Sequence, residues 1–551
     1  MLTSGGLRRS DTAKIMFRLT LFILIQALVL SCAYGETHEN GLIDEGRQLY
    51  QTTVRSDGTA VRALVQHDVP LPPGLGACSN CHRRSGYGVS EGGSRSLNVT
   101  APALFNATSK PPIRPAYNDQ TLVQAIVAGI ASDGRELDAT MPRYELNQGD
   151  AAAFAAYLRT LGASPPDGVG DEELTIATIV AENAPANERE AVTRVLQKYV
   201  ELRNNESRHD SERAAASSRH FYGRNPQKAF RRWKLLVWTL SGPTSTWRKQ
   251  LDAYYAEQAP FIVLSGTAGA DWPLVHDFCE TREIPCILPV SSGPADADDA
   301  FYSLYYSTGP TLESAVIADH LKKSALAPNA RVLVVHRDNP HDVEALHELR
   351  RALEDDSLIE ISTTAVTGKR ALSARKWRRL LQENKPDVLI AWLPQTSISK
   401  LLDSELADEL LPQTIYTSQA FTNWSDTTRL PERRINHVYP YSIAHAGLAQ
   451  FPREYLWLKQ RGLSDLDPVA ASKALYACRV LGLGLARIQT SFSREYLLEM
   501  LEHALDGTQM TSLFPRTSLG PNQRLLSRGA YVLTPNQLVD GENAYPLWVQ
   551  P

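Results

Sequence analysis

The chain has 551 residues, with 57 lysines and arginines against 61 aspartates and glutamates, for a formal charge of −4. At roughly 100–200 residues per domain this predicts three to four packed units, and 43% hydrophobic with 21% charged residues excludes a disordered or collagen-like chain. Balanced charge gives no global pull toward nucleic acid or anionic membranes. Six cysteines in this length exclude a disulfide scaffold, so each needs its own explanation.

In chain order, residues 1–18 carry Arg8, Arg9, Lys14 and Arg18, followed by the apolar run Leu19–Leu30 and the small-residue stretch Ser31-Cys-Ala-Tyr-Gly35. A basic start, a short apolar run and a small-residue end predict a secretory signal over residues 1–35. The run falls short of the about 20 apolar residues a spanning helix needs, although an uncleaved anchor is the competing reading. Two processing routes fit. Val29-Leu-Ser-Cys32 resembles a lipobox that would leave a lipidated Cys32, and Ala33-x-Gly35 suits ordinary cleavage before Glu36. Arg8-Arg9 lacks the following residues of a twin-arginine signal. The expectation is a periplasmic protein of a Gram-negative bacterium, attached to membrane only if Cys32 is lipidated.

Cys78-Ser-Asn-Cys81-His82 is a C-x-x-C-H motif, the attachment signature of c-type haem. Two thiols three residues apart share one side of a helical turn and can bond the two haem vinyl groups, while the adjacent imidazole reaches iron. A zinc knuckle would need a second Cys/His pair nearby, and a thioredoxin-like pair a preceding βαβ pattern; neither is present. Met141 is the only methionine between Met16 and Met500. It lies in the loop Ala139-Thr-Met-Pro-Arg-Tyr144, between the helical patterns Asp119–Ala128 and Gly149–Leu161, and His67 is the alternative sixth ligand. An amphipathic helix, Leu42–Tyr50, leads the region.

This order of helix, haem motif, loop, helix, Met-Pro and helix resembles class I cytochrome c over about residues 40–162, with Gly46, Leu49 and Tyr50 in the first helix and Tyr157-Leu158 in the last. The resemblance implies an all-α monohaem domain over residues 36–163, with Cys78 and Cys81 as thioethers and His82 and Met141 as axial ligands. One covalent haem c with both positions filled passes single electrons and leaves no open site for catalysis.

Ser164–Asp171 is a proline/glycine linker. From Leu174 short apolar runs (Leu174–Val180, Leu235–Leu240, Phe261–Leu264, Ile284–Val290, Val332–Val335, Val388–Trp392, Thr414–Thr417) alternate with helical stretches such as Thr246–Gln258, Trp272–Arg282, Leu312–Lys323, Asp342–Glu354 and Lys376–Asn384. Such alternation predicts an α/β fold with parallel sheets in two lobes. On Phe261-Ile-Val-Leu-Ser-Gly-Thr-Ala-Gly-Ala-Asp271, Glu283-Ile-Pro-Cys-Ile-Leu-Pro-Val-Ser-Ser292, Tyr305–Gly309 and Glu313–Leu321, residues 172–551 resemble a type I periplasmic substrate-binding protein of the branched-chain amino-acid class. The resemblance implies a cleft lined by Ser265, Thr267, Asp271, Ser291 and Ser292, with Tyr306 where relatives often place an arginine. His341 stands where an aromatic often closes on ligand, and Ser418-Gln419 where amino-acid binders tend to place an acid. Serines that merely cap helices and turns are the bland reading of the same residues.

Cys279 and Cys286 could pair in an oxidising compartment, Cys478 reads as a buried small hydrophobe in an apolar helix, and the basic cluster Arg219–Lys234 reads as solvated surface or a dock for an acidic partner. No catalytic constellation stands out. The expectation is a periplasmic electron carrier with a fused binding-protein-like domain that holds a small molecule or docks a redox partner, with a quinoprotein-type dehydrogenase as donor. The alternative is a ligand-capture protein for ABC-type transport or sensing, with the haem as redox reporter.

Overall fold

The computed structural model describes residues 40–66, 68–91, 94–109, 113–217, 231–291, 300–324, 329–354, 359–368, 370–393, 395–402, 410–418, 435–443, 451–488, 491–505, 513–534 and 547–551. The chain separates into two compact units, Met1–Pro165 and Pro166–Pro551.

The first unit has a helical core. Helix α1 covers residues 40–52. Strands β1 (Ala63–Val65) and β2 (Val69–Pro70) follow, then α2 (Cys78–His82), the short hairpin β3 (Ser90–Glu91) and β4 (Ser94–Arg95), α3 (Ala101–Leu104), α4 (Asp119–Val127), β5 (Arg143–Tyr144) and α5 (Gln148–Thr160). The expected helices are joined by loops whose backbones pair in short antiparallel strands, in the order β2-β1-β5. Asn118 and Asn147 each form a capping box, fixing where α4 and α5 begin. Asp150 of the second box also receives Arg55, 2.8 Å from Nε and 2.9 Å from NH2, and this bond holds its carboxyl below the usual range.

Helices α1 and α5 meet at Gly46. A Cβ there would lie 2.0 Å from the carbonyl oxygen of Ala153 and 2.7 Å from Tyr157 Cβ. Leu49 and Tyr50 are buried beside it, and the Tyr50 and Tyr157 rings sit 5.3 Å apart. Gly46→Ala is therefore expected to force the helices apart and destabilise this unit by about 1–3 kcal/mol. A lowered denaturant midpoint, followed by helical circular dichroism, checks this; an unchanged midpoint would show that the crossing can open freely.

The second unit contains two sheets. The first is built from β6 (Glu173–Ala181), α6 (Ala186–Ser217), β7 (Arg232–Leu240), α7 (Trp247–Glu257), β8 (Ile262–Leu264), α8 (Trp272–Thr281), β9 (Cys286–Ile287) and β10 (Ser303–Leu304). Its strand order is β10-β9-β8-β6-β7, all parallel. The second follows from α9 (Pro310–Lys323), β11 (Ala330–Arg337), α10 (Pro340–Leu353), β12 (Ile359–Val366), α11 (Ala374–Asn384), β13 (Val388–Trp392), α12 (Gln395–Leu402), β14 (Thr414–Ser418) and β15 (Ile435–Tyr439). The chain then forms α13 (Pro452–Lys459), α14 (Pro468–Ile488) and α15 (Arg494–Leu505), and closes with β16 (Ala530–Leu533) and β17 (Leu547–Val549). The second sheet runs β12-β11-β13-β14-β15-β16-β17, parallel through β15 and antiparallel at the last two pairings.

Both faces of each sheet are covered, which explains the unbroken apolar runs. In β6, Leu174, Ile176 and Val180 join one core with α14 and α15, while Ala177, Ile179 and Ala181 join another with α7 and α8. Val332 and Val334 face one side of the second sheet, Leu333 and Val335 the other. Helix α14 is long and apolar enough to cross a membrane, yet most of its apolar side chains are buried in the first of these cores. Buried Arg494 fixes α15 to the entrance of β8, donating to the carbonyls of Pro260 at 2.8 Å and Phe261 at 3.1 Å.

Candidate functional site

Helix α2 is the haem motif itself. It is little more than one turn, so Cys78 and Cys81 fall on one face. It stops at Arg83, whose φ of 63° turns the chain out of the helix directly after the histidine. Cys81 is exposed and Cys78 half-buried; burial pushes the Cys78 thiol up to about 11. The His82 ring is oriented by the backbone, with Nδ1 2.8 Å from the carbonyl oxygen of Leu97. A carbonyl only accepts, so Nδ1 carries the proton and Nε2 keeps its lone pair for a metal. Burial holds the imidazole below its ordinary value, in the neutral form a ligand needs. Ser96 Oγ donates to the Cys81 carbonyl at 2.5 Å and accepts from Val89 N, lacing the loop that supplies Leu97 onto the motif.

Met141 is half-buried in a turn built on Asp138, whose carboxylate takes the Thr140 amide and hydroxyl and whose carbonyl takes the Met141 amide. Three residues on, Tyr144 in β5 donates to the Gly76 carbonyl at 2.6 Å, and its hydroxyl lies 3.6 Å from Cys78 Sγ. The methionine loop and the haem motif are thus anchored to each other through one tyrosine. Two thiols on one helix face and an Nε2 with its lone pair free fit a covalent haem. Leu75 and Leu97 flank the motif while 66% and 42% exposed, an apolar surface suited to a porphyrin face. His67, the alternative ligand, lies outside the described residues, as do Cys32, Ser292, Gln419, Arg219–Lys228 and the side chain of His341.

In the second unit Ser265, Thr267 and Ser291 do gather at the carboxyl ends of β8 and β9, where open α/β sheets bind ligands. Gly266 makes the turn between the first two. Its φ is 116°, and a Cβ would stand 2.5 Å from the Ile179 carbonyl. Ser265 is fully buried and its Oγ has no partner among the described residues. Thr267 donates to Glu188 at 2.8 Å, Ser291 accepts from the Ala268 amide at 3.1 Å, and Asp271 accepts from Asn183 at 2.6 Å. Tyr306 is buried, and the Lys473 amine lies between its ring and the Val290 carbonyl beside Ser291. It stacks on Phe514 at 5.4 Å, and its hydroxyl donates to the Lys473 carbonyl.

Sequence reasoning missed Glu188 and Lys473. Lys473 is half-buried; its Nζ lies 3.4 Å from the Val290 carbonyl and 5.3 and 6.0 Å from the ring centroids of Tyr306 and Tyr441. Burial brings this amine down to about 8 despite the charges of Glu188 and Asp467. The available signal was a lone lysine in an otherwise apolar stretch of α14. Cys279 and Cys286 are free buried thiols, and Cys478 is fully buried.

Residues 43–162 match the family model for cytochrome c, and this part of the chain is a cytochrome c domain, which implies covalently bound haem c. The chain is also similar in fold to solved solute-binding proteins. A branched-chain amino acid ABC transporter structure from Thermus thermophilus with bound valine shares 12% identity at a TM-score of 0.49, over 70% of this chain and 97% of that one. A leucine-binding protein from Thermotoga maritima shares 11% at 0.45, over 69% and 99%. A solute-binding protein from R. palustris in complex with benzoate shares 12% at 0.47, over 69% and 96%. No curated protein matches the chain in sequence.

Proposed function

We propose that the protein is an exported electron carrier in which Cys78 and Cys81 hold a single haem c and His82 and Met141 are its axial ligands. The binding-protein-like region, residues 172–551 within the second unit, recognises the redox partner or a small molecule. Bound at Cys78 and Cys81, the haem would supply reversible one-electron exchange. The chain's own part is to present Nε2 of His82, hold the Met141 loop, and cover the motif with apolar side chains. The observation that carries this reading is the Leu97 carbonyl fixing the His82 tautomer, an arrangement useful for a metal ligand. A periplasmic quinoprotein-type dehydrogenase is the proposed donor, since such an enzyme must release electrons singly to a carrier. The protein would reside in the periplasm of a Gram-negative bacterium, free after cleavage before Glu36 or tethered at a lipidated Cys32.

Purified holoprotein should hold one haem per chain that resists acid–acetone extraction. Extractable haem, or a different stoichiometry, would remove the reading. Stopped-flow mixing of the ferric protein with a periplasmic quinoprotein dehydrogenase and its substrate should reduce the haem within seconds, and no reduction would eliminate that donor.

Ligand capture for transport or sensing is favoured by the unspent donor capacity at the strand ends, namely the buried Ser265 hydroxyl and the half-buried Lys473 amine. A hydroxyl and an ammonium with O–H and N–H bonds to spare suit an anion. Calorimetric titration of the full chain with acetate, benzoate, leucine and valine tests this, and absence of heat with all four would leave partner docking as the role of the second unit.

A further inference from the structure

We infer that Arg143 is the positioning residue for the axial methionine: one guanidinium grips the main chain of the Met141 loop and sets how firmly its sulfur holds the sixth position. This rests on the reading of Met141 as a ligand. Arg143 NH1 donates to the Met141 carbonyl at 2.5 Å, and NH2 donates to the carbonyls of Leu137 at 2.9 Å and Asp138 at 3.3 Å. All three acceptors belong to one turn of the loop, so a single planar fork closes it.

The arm itself is fixed. The Arg143 backbone opens β5, in register with Leu64 of β1, and Pro142 restricts the single residue between arginine and methionine. Above the fork lies Gly129, with φ of 71°; a Cβ there would sit 1.9–2.2 Å from the Nε, Cζ and NH2 atoms of Arg143. The loop returns to the same residue, since the Leu137 amide donates to the Gly129 carbonyl at 2.7 Å. The guanidinium therefore fills the space between the end of α4 and the methionine loop. Its other side lines a cavity of about 390 Å³, shared with Arg55, Leu64, Val127 and Tyr144. A lysine could reach one of the three carbonyls as a point charge but could not span them.

The test is competition for the sixth position in the ferric holoprotein, with added imidazole as the probe. Arg143→Gln should bind imidazole roughly 10- to 100-fold more tightly than the parent, the effect expected from losing charge-assisted hydrogen bonds that hold the competing sulfur, and should weaken the near-infrared sulfur-to-iron band. Arg143→Lys, which keeps the charge and serves if the glutamine variant fails to take up haem, should fall between them. In a Met141→Ala background the arginine substitution should add nothing further, because the two act through one bond. Unchanged imidazole affinity and an unchanged band in both arginine variants, even with lowered stability, would overturn the inference and reduce Arg143 to a structural residue. If Met141→Ala itself leaves the band intact, the ligand assignment fails instead, so the two failures are told apart.

Discussion

Met141→Ala is expected to abolish the weak near-infrared sulfur-to-iron band, lower the midpoint potential and open the iron to added ligands. A neutral thioether opposite an imidazole favours ferrous over ferric iron, because it donates little charge and stabilises the state with less positive charge. Alanine offers no donor, and the other methionine among the described residues, Met500, belongs to the second unit. The expected fall is on the order of 0.1–0.3 V, within the roughly 0.8 V that axial ligation spans. Spectroelectrochemical titration reads the potential, and cyanide binding reads the vacant position. Covalent attachment should survive, since the substitution leaves Cys78, Cys81 and the Tyr144 anchor between loop and motif in place. A variant with the parent potential would assign the sixth position to a different residue.

What could be read before folding was whatever local spacing encodes. Gly46, Leu49 and Tyr50 share one helix face and do pack on Tyr157, and the C-x-x-C-H interval alone places both thiols together. Met141 could be singled out as a candidate because methionine is rare in this chain. The partners that make the site work were out of reach, being main-chain atoms without side-chain identity. The Leu97 carbonyl that orients His82 comes from fifteen residues away, and Arg143 spends its fork on three carbonyls. In the second unit, long apolar strands such as β11 and β13 announced themselves. Strands β16 and β17 did not, because antiparallel partners brought back by the C-terminal segment carry no βαβ rhythm. The strand-end serines were found, but their polar commitments were not. Thr267 and Asp271 answer to Glu188 and Asn183, which lie some 80–90 positions earlier in the chain.

Glu313 lies near the start of the helical stretch Leu312–Lys323, and its burial leads to a second large effect. It sits in the first turn of α9, 4% exposed, with Oε2 unpartnered among the described residues. Desolvation raises its carboxyl from an ordinary 4.5 to about 8; a Ser418 hydrogen bond opposes this, and the charge of Asp342 adds to it. The sign follows from proton counts. Below about 4.5 folded and unfolded chains both hold the proton, so Glu313 contributes no pH dependence. Between about 4.5 and 8 the folded state keeps a proton that the unfolded state has lost, so stability falls as pH rises, and above about 8 the loss levels off. The loss is a few kcal/mol at most, at about 1.4 kcal/mol for each pH interval of one crossed inside that window. Glu313→Gln keeps the volume and an acceptor for Ser418 while removing the titration. Its melting temperature should match the parent near pH 5 and exceed it by several degrees at pH 8. Tryptophan fluorescence reports the second unit alone, because all nine tryptophans lie at or beyond Trp233. Parallel pH slopes in parent and variant would mean that Glu313 is charged in the folded state. A carboxylate would then stand beside Ser418, where a cationic ligand could meet it, and the donor-rich side at Ser265 and Lys473 would no longer define the ligand alone.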